Sequence, residues 1–250
     1  MILEIDAGNT RIKGRLAELS MSTSSTAGLT FETKSSQSPA EFLETLEDKI
    51  NLGEISRIKM ASVRGNEFDN TFARAMQDKW HIQPEFAEVQ AASSGVTNSY
   101  ENTRTMGIDR WLAMLAAYDR VKSSCCVLDC GSAITFDWLN DAGMHQGGFI
   151  VPGISLMQDS LARKTPALNV PLNAWSAAVP GTSTDTAISQ GLLAMVAGFA
   201  RHCHDHIGKS VSECHWFLTG GDAELVGKHL EWSHQVEKDL VLDGLALSLP

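Results

Sequence analysis

The sequence predicts an α/β fold built as two related halves. Two observations carry that prediction. First, "LEIDAGNTRIK" (3–13) and "VLDCGSAITFD" (127–137) share one plan: an apolar run, an aspartate, one residue, a glycine, small polar residues, then apolar residues again. Second, short apolar runs of strand length punctuate amphipathic stretches of helix length along the whole chain. The repeat places a carboxylate at the carboxyl end of a buried strand in each half, where open α/β sheets put their ligands.

The elements follow in order. Met1 to Ile5 reads as a buried strand. Residues 20–38, rich in Ser and Thr, read as hairpin and loop. "PAEFLETLEDKI" (39–50) spaces Phe42, Leu43, Leu46 and Ile50 for a helix facing a core. "ISRIKMASV" (55–63) reads as a strand. "NEFDNTFARAMQDKW" (66–80) reads as a helix, with Phe68, Phe72 and Met76 every four residues. Residues 91–109 are polar and read as a loop; "RWLAMLAAYDRV" (110–121) reads as a strongly apolar helix. "CCVLD" is the second motif strand and "ITFDWL" (134–139) its hairpin partner, turning at "NDAG". "GGFIVPG" (147–153) reads as strand then turn, 184–206 as a long helix with Ile188, Leu192, Met195 and Phe199 on one face, and "HWFLTGG" (215–221) as strand and glycine turn. No Pro-rich or low-complexity linker separates the halves.

Composition limits the function. The 250 residues carry 20 Lys plus Arg against 30 Asp plus Glu, a formal net charge of −10, which disfavours a nucleic-acid partner. Glu4 and Asp6 break the first apolar run, so no secretion signal is expected, and no apolar stretch reaches membrane-spanning length. The cysteines at 125, 126, 130, 203 and 214 are odd in number and fit buried thiols of a reducing cytoplasm.

The Asp-x-Gly turns suit phosphate binding. Glycine lets backbone N–H groups approach an anion, Asn9, Thr10 and Ser132 add donors, and Lys13 adds charge. Asp6 repels phosphate unless a cation such as Mg²⁺ bridges them. Two such loops would hold one nucleoside triphosphate between two related domains. Asp109 stands before "RWLAMLAAY" and serves equally as a helix N-cap or a proton acceptor. In "RHCHDH" (201–206) only His202 and His206 share a helix face, too few ligands for a zinc site.

"DAGNTRIK" (6–13), "GIDR" (107–110), "DCGSAITFD" (129–137), "GGFIVPG" (147–153), "GTSTDTAISQG" (181–191) and "LTGGDAELV" (218–226) occur in an order that resembles type III pantothenate kinases, of the acetate and sugar kinase, actin and chaperone ATPase superfamily. The resemblance covers nearly the whole chain. It implies duplicated ribonuclease-H-like domains, here 1–109 and 110–250, with the active site in the cleft between them. It implies ATP-dependent phosphorylation of pantothenate to 4′-phosphopantothenate, the first step to coenzyme A, in a cytoplasmic homodimer. By the same resemblance, Asp109 is the catalytic base. Asp6, Ala7, Gly8, Asn9, Thr10, Arg11, Ile12, Lys13 and Ser132 bind ATP. Tyr100, Gly107, Ile108, Asp109, Arg110 and Thr184 bind pantothenate. Asp6 acts through Mg²⁺, and Asp129 holds a monovalent cation, K⁺ or NH₄⁺. Gly220 and Gly221 form the turn near the adenosine. Ser132 replaces the family's usual Thr and keeps the hydroxyl; Ala7 replaces a common Val. Another small-molecule kinase of the superfamily and a regulatory accessory protein are the competing readings. The filled catalytic positions favour an enzyme.

Overall fold

The computed structural model describes residues 1–17, 30–34, 39–47, 55–164, 179–207, 211 and 213–250. Most of the Ser/Thr-rich stretch and positions 48–50 of the first expected helix lie outside the described residues. The chain divides into two compact units, Met1–Arg120 with Asp239–Pro250, and Val121–Lys238. This differs from the boundary expected after residue 109. Nearly all of the apolar helix that follows groups with the first unit, and the chain's last residues return to it.

In the first unit the elements are β1 Ile2–Ala7, β2 Arg11–Ala17, β3 Thr30–Lys34, α1 Pro39–Glu47, β4 Arg57–Ser62, α2 Asn66–Trp80, β5 Glu85–Phe86, β6 Ala92–Ser93 and β7 Val96–Thr97. A 3-10 turn at Thr103–Thr105 then leads into α3 Ile108–Val121. Strand order is β3-β2-β1-β4-β5. The β1–β2 and β2–β3 pairs are antiparallel; β1–β4 and β4–β5 are parallel. Leu3, Ile5 and Ala7 alternate along β1 and are fully buried on one face. There they join Phe42 of α1 and Phe72 and Met76 of α2. The rings of Phe42 and Phe72 lie 5.1 Å apart at 51°, a tilted aromatic pair.

The second unit contains β8 Cys125–Cys130, β9 Ala133–Leu139, β10 His145–Pro152, α4 Ile154–Lys164, α5 Thr184–Ile207, β11 His215–Thr219, α6 Ala223–Gly227 and β12 Gln235–Val236. Its order, β10-β9-β8-β11-β12, repeats the first sheet strand for strand. The pairing directions repeat too: two antiparallel pairs, then two parallel ones. The two motif strands, β1 and β8, are both central. The repeated sentence in the sequence is therefore a duplicated ribonuclease-H-like domain. Asp137, given no role by the sequence reading, is buried with its Oδ1 3.0 Å from His145 Nε2, beside the β-bulge between His145 and Gly148. It is a structural pair of the second sheet.

The final helix, α7 Leu240–Ser248, belongs to the first unit and packs on β1 and β4. Its Asp243 reaches Arg15 Nη1 and Arg120 Nη2, each at 2.5 Å. Arg15 also holds Glu4, its direct cross-strand neighbour, at 2.7 Å. The apolar residues of α3, from Trp111 to Tyr118, are buried within the chain.

Candidate functional site

In the first unit the site begins where β1 runs out. The hairpin to β2 pairs Asp6 with Lys13 and Ala7 with Ile12; Gly8, Asn9 and Thr10 link the two strands. Asn9 and Thr10 are exposed, as a phosphate loop requires. The side chains of Ala7 and Ile12 are fully buried in the core, so these two positions offer a ligand only backbone. Arg11 is exposed and bonds Glu32 of β3 at 2.7 Å. Lys13 Nζ lies 2.7 Å from Asp239 Oδ1, just before α7. Asp239 was not read from the sequence as a site residue; an Asp before an apolar helix signals only a cap.

Asp109 enters from α3. This helix starts two residues earlier than its apolar run suggests, and the Gly107 carbonyl accepts the Trp111 N–H at 3.2 Å. Asp109 therefore lies inside the first turn and is not the N-cap. Its Oδ1 accepts the Arg110 N–H at 2.8 Å. A Cβ on Gly107 would stand 2.5 Å from that same oxygen, so a side chain there would push this carboxylate from its position.

Asp6 and Asp109 are close enough to feel each other's charge. Burial, reinforced by the Asp109 carboxylate and opposed by Lys13, pushes the Asp6 carboxyl up to about 7. Two carboxylates of one sign in a partly buried place, with oxygen donors only, suit a hard divalent cation. A pH prediction follows. In the unfolded chain Asp6 ionises near 3.8. The native state therefore holds this proton more tightly. The protein loses stability as pH rises from about 4 through 7, and above 7 the whole penalty is present. Asp6→Asn removes the charge. It should raise the Tm of the unliganded protein at pH 8, with a gain that shrinks as pH falls towards 4. Thermal melts at pH 8 and 4.5 check this; an equal shift at both pH values would contradict it.

Tyr100 and Arg110, ten residues apart, meet. Arg110 Nη1 donates to the Tyr100 hydroxyl at 3.0 Å, and its guanidinium carbon lies 5.7 Å from the ring centroid. Arg110 is only 6% exposed, which rules out a solvated first-turn arginine. Burying a guanidinium is costly unless it is hydrogen-bonded, as it is here to Tyr100. Ile108 faces the core at the start of the same helix.

In the second unit, Asp129 stands near the end of β8, in register with Thr219 of β11. A Cβ at Gly131 would be 3.1 Å from its Oδ1, and one at Gly220 would strike it. Gly220 holds φ at 88°, so its turn both requires glycine and makes space around the carboxylate. The Asp222 N–H donates to the Cys130 carbonyl at 3.0 Å, tying the Gly220–Gly221 turn to the motif strand. Ser132 is exposed at the loop tip. Thr184 is the first residue of α5, but Ser183 provides the cap. The Ser183 carbonyl accepts the Ala187 N–H at 2.8 Å and its Oγ accepts the Thr186 N–H at 3.2 Å. Thr184 is exposed beside this cap and takes no part in it.

A duplicated ribonuclease-H-like fold, with an Asp-x-Gly turn at the end of the central strand of each unit, is the architecture of the actin-like ATPase and sugar kinase class. A solved structure of this fold, the activator of 2-hydroxyisocaproyl-CoA dehydratase from Clostridium difficile with bound ADPNP, superimposes with a TM-score of 0.52 at 11% identity. The alignment covers 99% of this chain and 92% of that one. The family model for type III pantothenate kinase matches residues 2–206. The type III pantothenate kinase of Nitrosococcus oceani is 33% identical over 98% of this chain and 92% of its own. That of Pseudomonas aeruginosa is also 33% identical, over 100% and 99%. The chain belongs to the type III pantothenate kinase family.

Proposed function

We propose that the protein transfers the γ-phosphoryl group of ATP to the hydroxyl of pantothenate, giving 4′-phosphopantothenate for coenzyme A synthesis. The observation that carries this reading is the cluster in the first unit: Asp109 beside Asp6, with the buried Arg110 bonded to Tyr100 one residue on. Phosphoryl transfer is mainly positioning and charge stabilisation, with a base for the hydroxyl proton. Asp109 takes that proton on its carboxylate, which the Arg110 N–H orients. Arg110 pairs with the pantothenate carboxylate, and Tyr100 fixes the guanidinium. Thr184 adds a hydroxyl to the same substrate. Backbone and side-chain donors of Gly8–Thr10, with Ser132, bind phosphate. Asp6 is the oxygen donor for Mg²⁺, which when bound neutralises phosphate charge.

Asp129 is read as the site of a monovalent cation. Its carboxylate lies where two glycines leave space, and an anion at a phosphate loop calls for a counter-charge. A coupled ADP-release assay tests both readings. Pantothenate should stimulate ADP release, whereas release with a sugar or acetate instead would favour another kinase of the superfamily. No release with any acceptor would favour an accessory protein. At constant ionic strength K⁺ or NH₄⁺ should raise the rate over a large organic cation, and Asp129→Asn should blunt that response. Equal wild-type rates in all salts would retire the cation assignment and leave the kinase reading standing.

A further inference from the structure

The second unit contains a pair of sulfurs that kinase chemistry does not use. Cys126, on β8, is fully buried, and Cys214, just before β11, is partly exposed. Their Sγ atoms are 3.1 Å apart, inside van der Waals contact, and either can donate to the other. The strands that bring them together are parallel neighbours, with Cys126 in register with Trp216. Cys214 also lines a pocket of about 390 Å³ with His204, Trp216, Trp232 and His234. His204 stacks on Trp232 with centroids 4.2 Å apart, and Trp232 meets Trp216 edge-on at 5.2 Å. These rings form an aromatic wall around an opening that leads to one sulfur of the pair. The pocket lies at the His215 end of β11, and the Gly220 turn follows the other end of the same strand.

We propose that Cys126 and Cys214 are a peroxide-oxidisable dithiol, with Cys214 as the sulfur that reacts first with the peroxide and the pocket as its route to solvent. The environments of the two sulfurs differ in the required way. The hydrogen bond with Cys126 holds the Cys214 thiol below its usual range; partial burial and Asp141 oppose this. Ser124 Oγ lies 3.6 Å from Cys214, though its one hydrogen is shared with the Leu139 carbonyl at 3.1 Å. Burial drives the Cys126 thiol well up, so it keeps its proton until the second step. Burial likewise raises Cys125, Cys130 and Cys203, the three remaining thiols.

The chemistry balances with a hydroperoxide as oxidant. The Cys214 thiolate attacks the O–O bond. An S–O bond forms, the O–O bond breaks, and an alcohol (water, for hydrogen peroxide) leaves with a proton. The Cys126 sulfur then attacks the sulfenic sulfur of Cys214. The S–S bond forms, the S–O bond breaks, and hydroxide takes the Cys126 proton to leave as water. Two thiols lose two electrons and the peroxide gains them.

The test uses the intact wild-type protein and reads thiols rather than turnover, so its result is independent of the kinase reading. Folded protein is titrated with hydrogen peroxide, alkylated, and mapped by mass spectrometry. Two of the five thiols should disappear. The intact mass should fall by about 2 Da, dithiothreitol should reverse the change, and one cross-linked peptide pair should contain Cys126 and Cys214. Cys126→Ser should instead give a dimedone adduct on Cys214. If that variant does not fold, the wild-type peptide map still decides. Full alkylation of both cysteines after peroxide, a disulfide to another cysteine, or overoxidation of Cys214 without a disulfide would overturn the proposal.

Discussion

Asp109→Asn should lower kcat by roughly 10²–10⁴-fold while leaving the fold and ATP binding near wild type. The size of the loss follows from the role. A general base contributes by accepting a proton in the transition state, and an amide cannot. The small structural effect follows from the geometry. The cap of α3 is the Gly107 carbonyl, which accepts the Trp111 N–H, so the helix starts without help from Asp109. The amide oxygen of Asn still accepts the Arg110 N–H that Asp109 Oδ1 accepts at 2.8 Å. What is lost structurally is one acidic charge in the first helical turn, worth about 0.3–1 kcal/mol. Against this, Asp6 loses the like charge that helps hold its carboxyl up at about 7. Asp6 then ionises more readily and remains able to take Mg²⁺. Steady-state kinetics with saturating pantothenate, together with thermal melts, check the prediction. A large drop in Tm with turnover within tenfold of wild type would assign Asp109 to helix stability instead.

The parts of this molecule that were legible in the sequence are those written in local pattern. The two Asp-x-Gly turns are short, follow apolar runs, and recur, so both central strands and their loops could be read directly. The helix at 66–80 was visible because Phe68, Phe72 and Met76 recur at helical spacing, and its observed bounds are Asn66–Trp80. The start of α3 was misread because Gly107, Ile108 and Asp109 look like a loop. Their helical conformation is set by the Gly107 carbonyl and by burial of Ile108, neither of which is a periodicity. Helix α7 was missed for the opposite reason. "LVLDGLALS" is apolar almost all round, so it has no helical stripe, and Gly244 lowers its helix propensity. The glycine has a packing reason: a Cβ there would run into the backbone of Leu112 in α3. The meeting of Lys13 with Asp239 is long-range, and no window of sequence contains it. That of Tyr100 with Arg110 spans only ten residues, but it crosses a polar loop with no periodicity to reveal it.

The charges buried under α7 were equally invisible to local pattern, and they set the largest expected stability effect: Arg15→Met should lower the unfolding free energy by about 3–5 kcal/mol near neutral pH. Glu4, Arg15 and Lys59 lie side by side on one face of the first sheet, and all three are at most 3% exposed. Arg15 joins Glu4 at 2.7 Å to Asp243 at 2.5 Å. Arg120 meets the second Asp243 oxygen at 2.5 Å. Removing the guanidinium leaves two carboxylates beneath α7 with less positive charge than they were folded to face. Burial holds Glu4 above its ordinary range even with Arg15 beside it. Without Arg15 it should be held higher still. The native state of the variant would then take up a proton that the unfolded chain takes only at lower pH. By linkage, the loss of stability should be smaller at pH 5 than at pH 8. Adding Glu4→Gln to Arg15→Met should recover part of the loss, because an amide is cheaper to bury than an unpaired carboxylate. Urea unfolding of wild type, Arg15→Met and the double variant at both pH values measures these differences. A loss below about 1 kcal/mol for Arg15→Met, the size of an exposed ion pair, would show that α7 is held to the sheet by its apolar contacts alone.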